Sequence, residues 1–513
     1  NANTHGSHVT GIVAANGDEE NGGVKGVAPD AQIFALKVFA SDGLGSSVDN
    51  IIRAVEDAVK LGADIINLSL GSTPGFYDDV EYLQKALATA EEHGVLACVA
   101  AGNDGLASSD KNANNNTNDW GVIDTGAVSS PSVYPGALSV ASVDNAFYST
   151  TALDIFSGEE QIYSGAATDF SVGNRTDWTS IGEVQLVDCG YGDLMTDIMP
   201  LFGNTPEGPF VALVQRGKDI AFGTKIMNAS MLGAKAVIVY NNEATDEVVR
   251  NVLAENAQFY AAVLVSGNTG AKLKELAVSG ATVSFRGLYD AIVPNTTSGG
   301  DVSAFSSWGT TPTLDIKPEI SAPGGSIRSL SKGTDYEVMS GTSMATPYVA
   351  GSAALVLEAL QDALADGSLS LGGQSLNGFL KNTLMNTADP ILDGSSIFSV
   401  RQQGSGMVDP MEAASNRIIA THDGIASIAL KEVGQTTSFT VTLTNYGTEA
   451  KTYTLPASSQ VYTDYTDPDS ADYYVVPLNG ANVSYGASSV TVPAGGTASV
   501  ICTLNIPASA AQN

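Results

Sequence analysis

The stretch VDNIIRAVEDAVKLGADIINLSL, residues 48–70, changes its period in the middle. Val48, Ile51, Ile52, Val55 and Val59 recur at helical spacing, and Gly62 supplies a stop signal. The following run ADIINLSLG, residues 63–71, is short and apolar, which predicts a buried strand. The pattern then repeats. Val80, Leu83, Leu87 and Ala90 mark one face of a second helix that ends at Gly94 and leads into the strand VLACVA, residues 95–100. Helix and strand in alternation predict an α/β fold, a parallel sheet with helices on both faces. Ligands of such sheets bind beyond the carboxyl ends of the strands, so NLSLGS (67–72) and AAGN (100–103) are expected at the edge of a site.

Further along, after SVASVDN (139–145), the character changes. Residues 148–291 carry shorter alternating runs, such as GPFVALVQRG and AKAVIVYNN, around a single helix expected near Lys225–Leu232. They predict a separate β-rich domain inserted between a first α/β part, residues 1–147, and a second, residues 292–416. In the second part Met344–Ala365 predicts a long buried helix with Pro347 in its first turn. From 417 to 513, short strands such as TTSFTVTLTNYG alternate with polar turns, the pattern of a β-sandwich.

Composition narrows the function classes. The chain of 513 residues has 55 acidic against 23 basic side chains, a net charge of -32. That surface repels phosphate backbones and anionic membranes, which excludes nucleic acid as an expected partner. Three cysteines, Cys98, Cys189 and Cys502, stand far apart and predict no disulfide framework. Cys98, inside an apolar run, reads as a small buried hydrophobe. No apolar run is expected to reach the ~18 residues of a membrane span, and the absence of an initiator Met or leader predicts a cut or processed piece.

Two of the four histidines, His5 and His8, lie three apart in THGSHVTG, residues 4–11. Two imidazoles one turn apart can share a metal, but a zinc site needs a third or fourth ligand and the local sequence offers none. The alternative is that one is a general base and the other packs. In SGTSMATPYVAG, residues 340–351, Ser343 stands where a loop enters a helix, near the positive end of the helix dipole and its free N–H groups. Such donors can stabilise an oxyanion, whereas an isolated serine there would be an ordinary N-cap.

The segments THGSHVTG, VAAGNDG (99–105) and SGTSMATP occur together and in that order. With GVAPDAQIFALKVF (26–39), FSSWG (305–309) and KPEISAPG (317–324), the chain resembles the subtilisin-like serine proteases, the subtilases, of the cell-envelope lactocepin type. The resemblance implies that His5 is the catalytic base, Asn103 the oxyanion-hole amide and Ser343 the nucleophile of a serine endopeptidase, with His8 structural. Ser7 and Thr10 stand where the family commonly has Thr and Ala, and neither change removes a catalytic atom. It also implies that a peptide pairs with two backbone edges, Ser69–Leu70–Gly71 and Ala100–Ala101–Gly102, with the loop SDGLGSS (41–47) forming part of one wall. The insertion resembles a protease-associated domain, and residues 417–513 resemble a fibronectin-III-like domain, expected to be incomplete.

The family carries its triad aspartate on a strand before the histidine, which implies an acid upstream of residue 1 and a chain that is weak or inactive alone. Asp124, in GVIDTGAV, spells the family's aspartate motif but follows Asn103, so it reads as a turn residue. No cofactor is expected for the chemistry. A structural calcium is allowed by the resemblance, and GDEENGG (17–23) offers oxygens, yet without a regular calcium spacing it reads as a solvated acidic turn. The expected partner is a protein or peptide substrate, the expected form a monomer, and the expected place extracellular, secreted or attached to a cell wall. The competing class is a non-catalytic surface protein-binding scaffold that keeps the fold.

Overall fold

The computed structural model describes residues 4–39, 46–72, 75, 81–105, 126–170, 177–246, 248, 260–332, 335–394, 396–466 and 473–510. They form two compact units, residues 1–146 with 296–513, and residues 147–295.

In the first unit, helix α1 (His5–Ala14) opens the chain. Helix α2 (Val48–Leu61) is capped by Ser47, whose hydroxyl accepts from the Asn50 N–H at 3.3 Å, and it ends on Gly62 at φ 78°, a conformation that favours glycine. Strand β1 (Ile65–Leu68), helix α3 (Glu81–Glu92), strand β2 (Leu96–Ala100), strand β3 (Ala137–Asp144) and strand β4 (Ile320–Gly325) follow. The four strands pair in the order β1-β2-β3-β4, all parallel. Alternate residues of β2 serve two cores. Ala97 and Val99 pack with Ile51, Val55, Leu83 and Leu87 of α2 and α3 on one face. Leu96 and Cys98 pack on the other, against Val349, Ala353 and Val356 of helix α4 (Thr342–Ala365) and Phe379 of helix α5 (Leu376–Asn386). Each fully buried Leu or Val contributes about 1.5–3 kcal/mol. The sheet therefore has helices on both faces, as the sequence predicts.

Helix α4 begins at Thr342, two residues before the expected Met344, and Pro347 is its sixth residue. By length and composition alone the helix could cross a membrane, its most apolar 18 residues having a mean hydropathy of 1.2, but it is a core helix of the fold, which agrees with the expectation of no span. Packing explains the composition, because 67% of its most apolar window is buried inside the fold. From Thr342 to Ala353 the helix is enclosed and apolar on nearly all sides, whereas Leu355, Glu358, Gln361 and Asp362 of its second half are exposed.

At the opposite end of the sheet from α4's start lies a buried ionic group. Glu319, just before β4, receives Lys317 Nζ at 2.7 Å and Lys381 Nζ at 3.0 Å, and accepts from the Ser139 N–H at 3.0 Å. Burial pushes the Glu319 carboxyl up, but the two lysines and these hydrogen bonds outweigh it and hold the group below the usual carboxylate range.

The unit of residues 147–295 has a mixed eight-stranded sheet. Its parallel middle comprises Val184–Asp188, Phe210–Gln215, Ala236–Tyr240 and Ala262–Val265. Among the described residues two α-helices pack on it where the sequence reading expects one: Phe222–Ser230 and Gly267–Ser279. The second had a legible signal, with Ser266 accepting from the Thr269 N–H at 3.2 Å as N-cap and Gly280 at φ 73° as its stop. In the first unit, Ile418–Thr421, Thr436–Asn445, Thr497–Asn505, Tyr473–Tyr485 and Ser458–Thr466 form a five-stranded antiparallel sheet beside the pair Lys451–Thr454 and Ser489–Val492. This is the predicted sandwich.

Candidate active site

Helix α4 meets the sheet where Gly324 of β4 passes under Gly341. A Cβ on Gly324 would lie 2.7 Å from the Gly341 carbonyl oxygen, so only glycine lets the loop approach this closely. The Gly341 N–H donates to the Gly324 carbonyl at 2.9 Å, which fixes where α4 begins. Thr342 is buried, and Ser343, partly exposed, is the second residue of the helix.

Asn103 reaches the same helix start from the loop after β2. Its Oδ1 accepts from both the Thr342 N–H and the Thr342 hydroxyl, each at 2.9 Å. Both donors fall on the oxygen, which assigns the amide's orientation. Its Nδ2, 3.4 Å from the position of a Cβ on Gly341, is the donor end. Thr342, absent from the sequence reading, thus decides which way Asn103 points.

His5 is the first residue of α1, and it lines the same cavity as Asn103, Thr342 and Ser343. Burial first, and then the neighbouring His8, lowers its pKa below the ordinary 6.5. His8 points elsewhere. It is wholly buried, and its Nε2 lies 3.1 Å from the Ile327 carbonyl and 3.2 Å from the Glu337 carbonyl, on the strands β5 (Ile327–Leu330) and β6 (Tyr336–Met339). Carbonyls only accept, so Nε2 carries the proton, and His8 fastens this hairpin to α1. Met344 completes the seam, packing on Val9 and Ile12.

Ser69, Leu70 and Gly71 continue from the carboxyl end of β1 and line the cavity. Ala100 and Gly102 line it too, but Ala101 is fully buried, with its N–H donating to Val140 O at 3.0 Å and its carbonyl accepting from the Ser129 N–H at 2.8 Å. The Gly102 N–H and carbonyl are also engaged, by the Thr342 hydroxyl at 3.2 Å and the Ser307 N–H at 3.0 Å. Of the two edges, Ser69–Gly71 is therefore the more open to a new backbone. The decoy Asp124 lies outside the described residues, as do Ser41–Gly45 of the wall loop.

The cavity, about 1750 Å³, extends well beyond these residues. It runs along β1, which among the described residues is an edge strand, and over Ala354 and Leu357 of α4. Its far wall is the segment 31–39, AQIFALKVF, which forms no strand and leaves Ile33, Phe34, Leu36 and Phe39 between 38% and 49% exposed. Four such side chains facing a slot beside an unpaired edge are costly without a covering partner. The acidic turn Gly17–Gly23 is closed by its own backbone, Gly17 N–H to Val24 O at 2.9 Å and Gly23 N–H to Asp18 O at 2.7 Å. Among the described residues no group of three or more His, Cys, Asp or Glu side chains is arranged to hold a metal ion.

Comparison with known proteins follows the same outline. Residues 1–410 match the model of the subtilase family, and residues 428–513 that of an Fn3-like domain. Over 98% of its length the chain is 34% identical to a PII-type proteinase of Lacticaseibacillus paracasei, and over 90% it is 29% identical to a C5a peptidase of Streptococcus pyogenes serotype M3. It spans 27% of the first of these relatives and 38% of the second. Among solved structures, a psychrophilic subtilisin-like protease from an Antarctic Pseudoalteromonas aligns with a TM-score of 0.42 at 23% identity, over 81% of this chain and 84% of that one. With a family match that takes in four-fifths of its residues, the chain belongs to the subtilase family.

Proposed function

We propose that the chain is the peptidase portion of an extracellular serine endopeptidase that cuts protein substrates, with Ser343 as nucleophile and His5 as general base. The observation that carries this reading is the convergence of His5, Asn103 and Ser343 on one cavity, with the Asn103 amide oriented by Thr342 so that its donor end is left for a ligand. His5 takes the Ser343 proton as the hydroxyl attacks the peptide carbonyl, then returns it to the leaving amine. The oxyanion that forms is met by Asn103 Nδ2 and by backbone N–H groups at the start of α4. The substrate lies extended along Ser69–Gly71.

The third member of the triad is proposed to be an aspartate on a strand upstream of residue 1, docked between β1 and the segment 31–39. The slot supports this, being lined on both sides by backbone and apolar side chains and reaching His5 at one end. A carboxylate there raises the His5 pKa and holds the imidazole tautomer. The test is hydrolysis of an unfolded protein by the form that carries the upstream segment. In that form Asp124→Asn is expected to leave turnover nearly intact. A fall of several orders of magnitude with the circular dichroism spectrum unchanged would instead make Asp124 the acid.

Removing the oxyanion donor gives a second check. Asn103→Ala is expected to lower turnover about 10²–10³-fold with little change in KM, a magnitude known from subtilisin itself. Asn103→Asp keeps the acceptor that Thr342 uses but puts a negatively charged oxygen where the donor was, so it should lose at least as much. Turnover equal to wild type in both variants would remove Asn103 from the site.

A further inference from the structure

Helix α4 contains a proline where its sixth residue should donate a hydrogen bond. Pro347 has no N–H, so the carbonyl four residues earlier loses its helical partner. That carbonyl belongs to Ser343. It is not left bare, because the Ser69 hydroxyl, on the segment that leaves β1, donates to it at 2.7 Å. The Ser69 oxygen in turn accepts from Asn67 Nδ2 at 3.1 Å, which directs its single proton toward Ser343. The contact is reciprocal, since the Ser343 hydroxyl rests 3.4 Å from the Ser69 carbonyl, at the outer limit of a hydrogen bond. The other end of the Asn67 amide, Oδ1, is buried with no hydrogen-bond partner among the described residues, and Asn67 lines the slot beside β1.

We propose that Ser69 is a positioning residue for the nucleophile. Its hydroxyl replaces the helix bond that Pro347 cannot make and so fixes the main chain of Ser343, while Asn67 orients that hydroxyl. The substitution of a side-chain donor for a helical one has a mechanical consequence. An ordinary N–H would tie the Ser343 carbonyl to its own helix, whereas the Ser69 hydroxyl ties it to the edge along which the substrate lies. Nucleophile and substrate are then referred to one piece of backbone, and a displacement of that edge carries Ser343 with it. Misplacing a reacting group by about 1 Å can cost 10²-fold in rate. Asn67 extends the link to the slot that it lines.

This inference rests on the peptidase reading, and the experiment separates the two. In the form that carries the upstream segment, Ser69→Ala is expected to lower kcat roughly 10- to 100-fold with KM changed less than about twofold, because the peptide pairs with backbone that the substitution leaves in place. Pro347→Ala restores an N–H at the position that faces Ser343 O. The double variant S69A/P347A should therefore recover most of the lost kcat, which a merely structural role for the hydroxyl gives no reason to expect. Should Ser69→Ala fail to fold, Ser69→Thr and Ser69→Val carry the same test. They have nearly the same shape, and only the first, which keeps the hydroxyl, should stay active. An S69A enzyme within twofold of wild type, a double variant no better than S69A, or equal activity of the Thr and Val variants would each overturn the proposal while leaving the peptidase reading in place. A wild-type protein that hydrolyses no peptide would remove both.

Discussion

With His5 replaced by alanine, turnover of a peptide substrate is expected to fall on the order of 10⁶-fold, a magnitude known from subtilisin, where losing the histidine or the serine alone costs about as much as losing the whole triad. The size follows from the two residues acting as one unit, since a serine hydroxyl is a weak nucleophile without a neighbouring base. KM should change little, because on the proposed reading the substrate binds along Ser69–Gly71 and not through the imidazole. The pH dependence has a defined sign. His5 works as a base only when neutral, and burial, with His8 beside it, lowers its pKa from 6.5. Activity is therefore present at neutral pH and lost as pH falls through that lowered pKa; a docked carboxylate moves the loss to higher pH. Steady-state kinetics across pH 5–8, on His5→Ala and wild type, checks both statements. A loss under about tenfold would show that another group takes the Ser343 proton.

Glu319→Gln is expected to destabilise the fold by about 3–5 kcal/mol, the usual consequence of leaving a buried charge without its counter-ion. The lysines it pairs are well enclosed, with side chains 5% and 15% exposed for Lys317 and Lys381, and without Glu319 they keep only backbone carbonyls such as that of Ala137 as partners. Exposed pairs such as Lys60 with Glu56 contribute only about 0.3–0.5 kcal/mol by comparison. Because the carboxyl's pKa is depressed in the folded state, its contribution is fully present above the unfolded value near 4.5 and is lost as pH falls through the folded one. Denaturant unfolding at pH 7 measures the difference. A change below about 1 kcal/mol would mean that the lysines find other partners. Activity below the unfolding transition should be unaffected, since Glu319 sits at the far end of β4 from Gly324.

Much of this architecture is legible in the sequence, for physical reasons that differ by element. Helix α2 announces itself because only one of its faces is buried, which leaves a periodic pattern between Ser47 and Gly62. Strand β2 is legible as a short apolar run, though its two faces serve different cores. Helix α4 is harder, since its first half is buried nearly all round with no polar face to set its phase, and the apolar run points to Met344 where the helix begins at Thr342. The helix Gly267–Ser279 is hard to read despite its caps, because Gly267, Asn268, Thr269 and Gly270 fill its first turn and only Leu273, Leu276 and Val278 are large apolar side chains. At the site, His5, Asn103 and Ser343 could be picked out by their motifs. What motifs do not give is the set of residues that aim them. Thr342 orients Asn103, Ser69 holds Ser343, and Asn67 orients Ser69, all through contacts between segments about 240 to 275 residues apart or within a turn after β1. The proline offered the one available clue, since its position four residues after Ser343 frees that serine's carbonyl and asks what satisfies it.

The reading of Ser343 as the nucleophile is tested most directly by its reactivity. The protein carrying its upstream segment would be treated with a fluorophosphonate, digested, and the adduct located by mass spectrometry. A single phosphonylated peptide spanning Ser340–Gly351, modified at Ser343 and absent from the His5→Ala variant, is the predicted result. A folded protein that takes no label, or takes it on another residue, would contradict it.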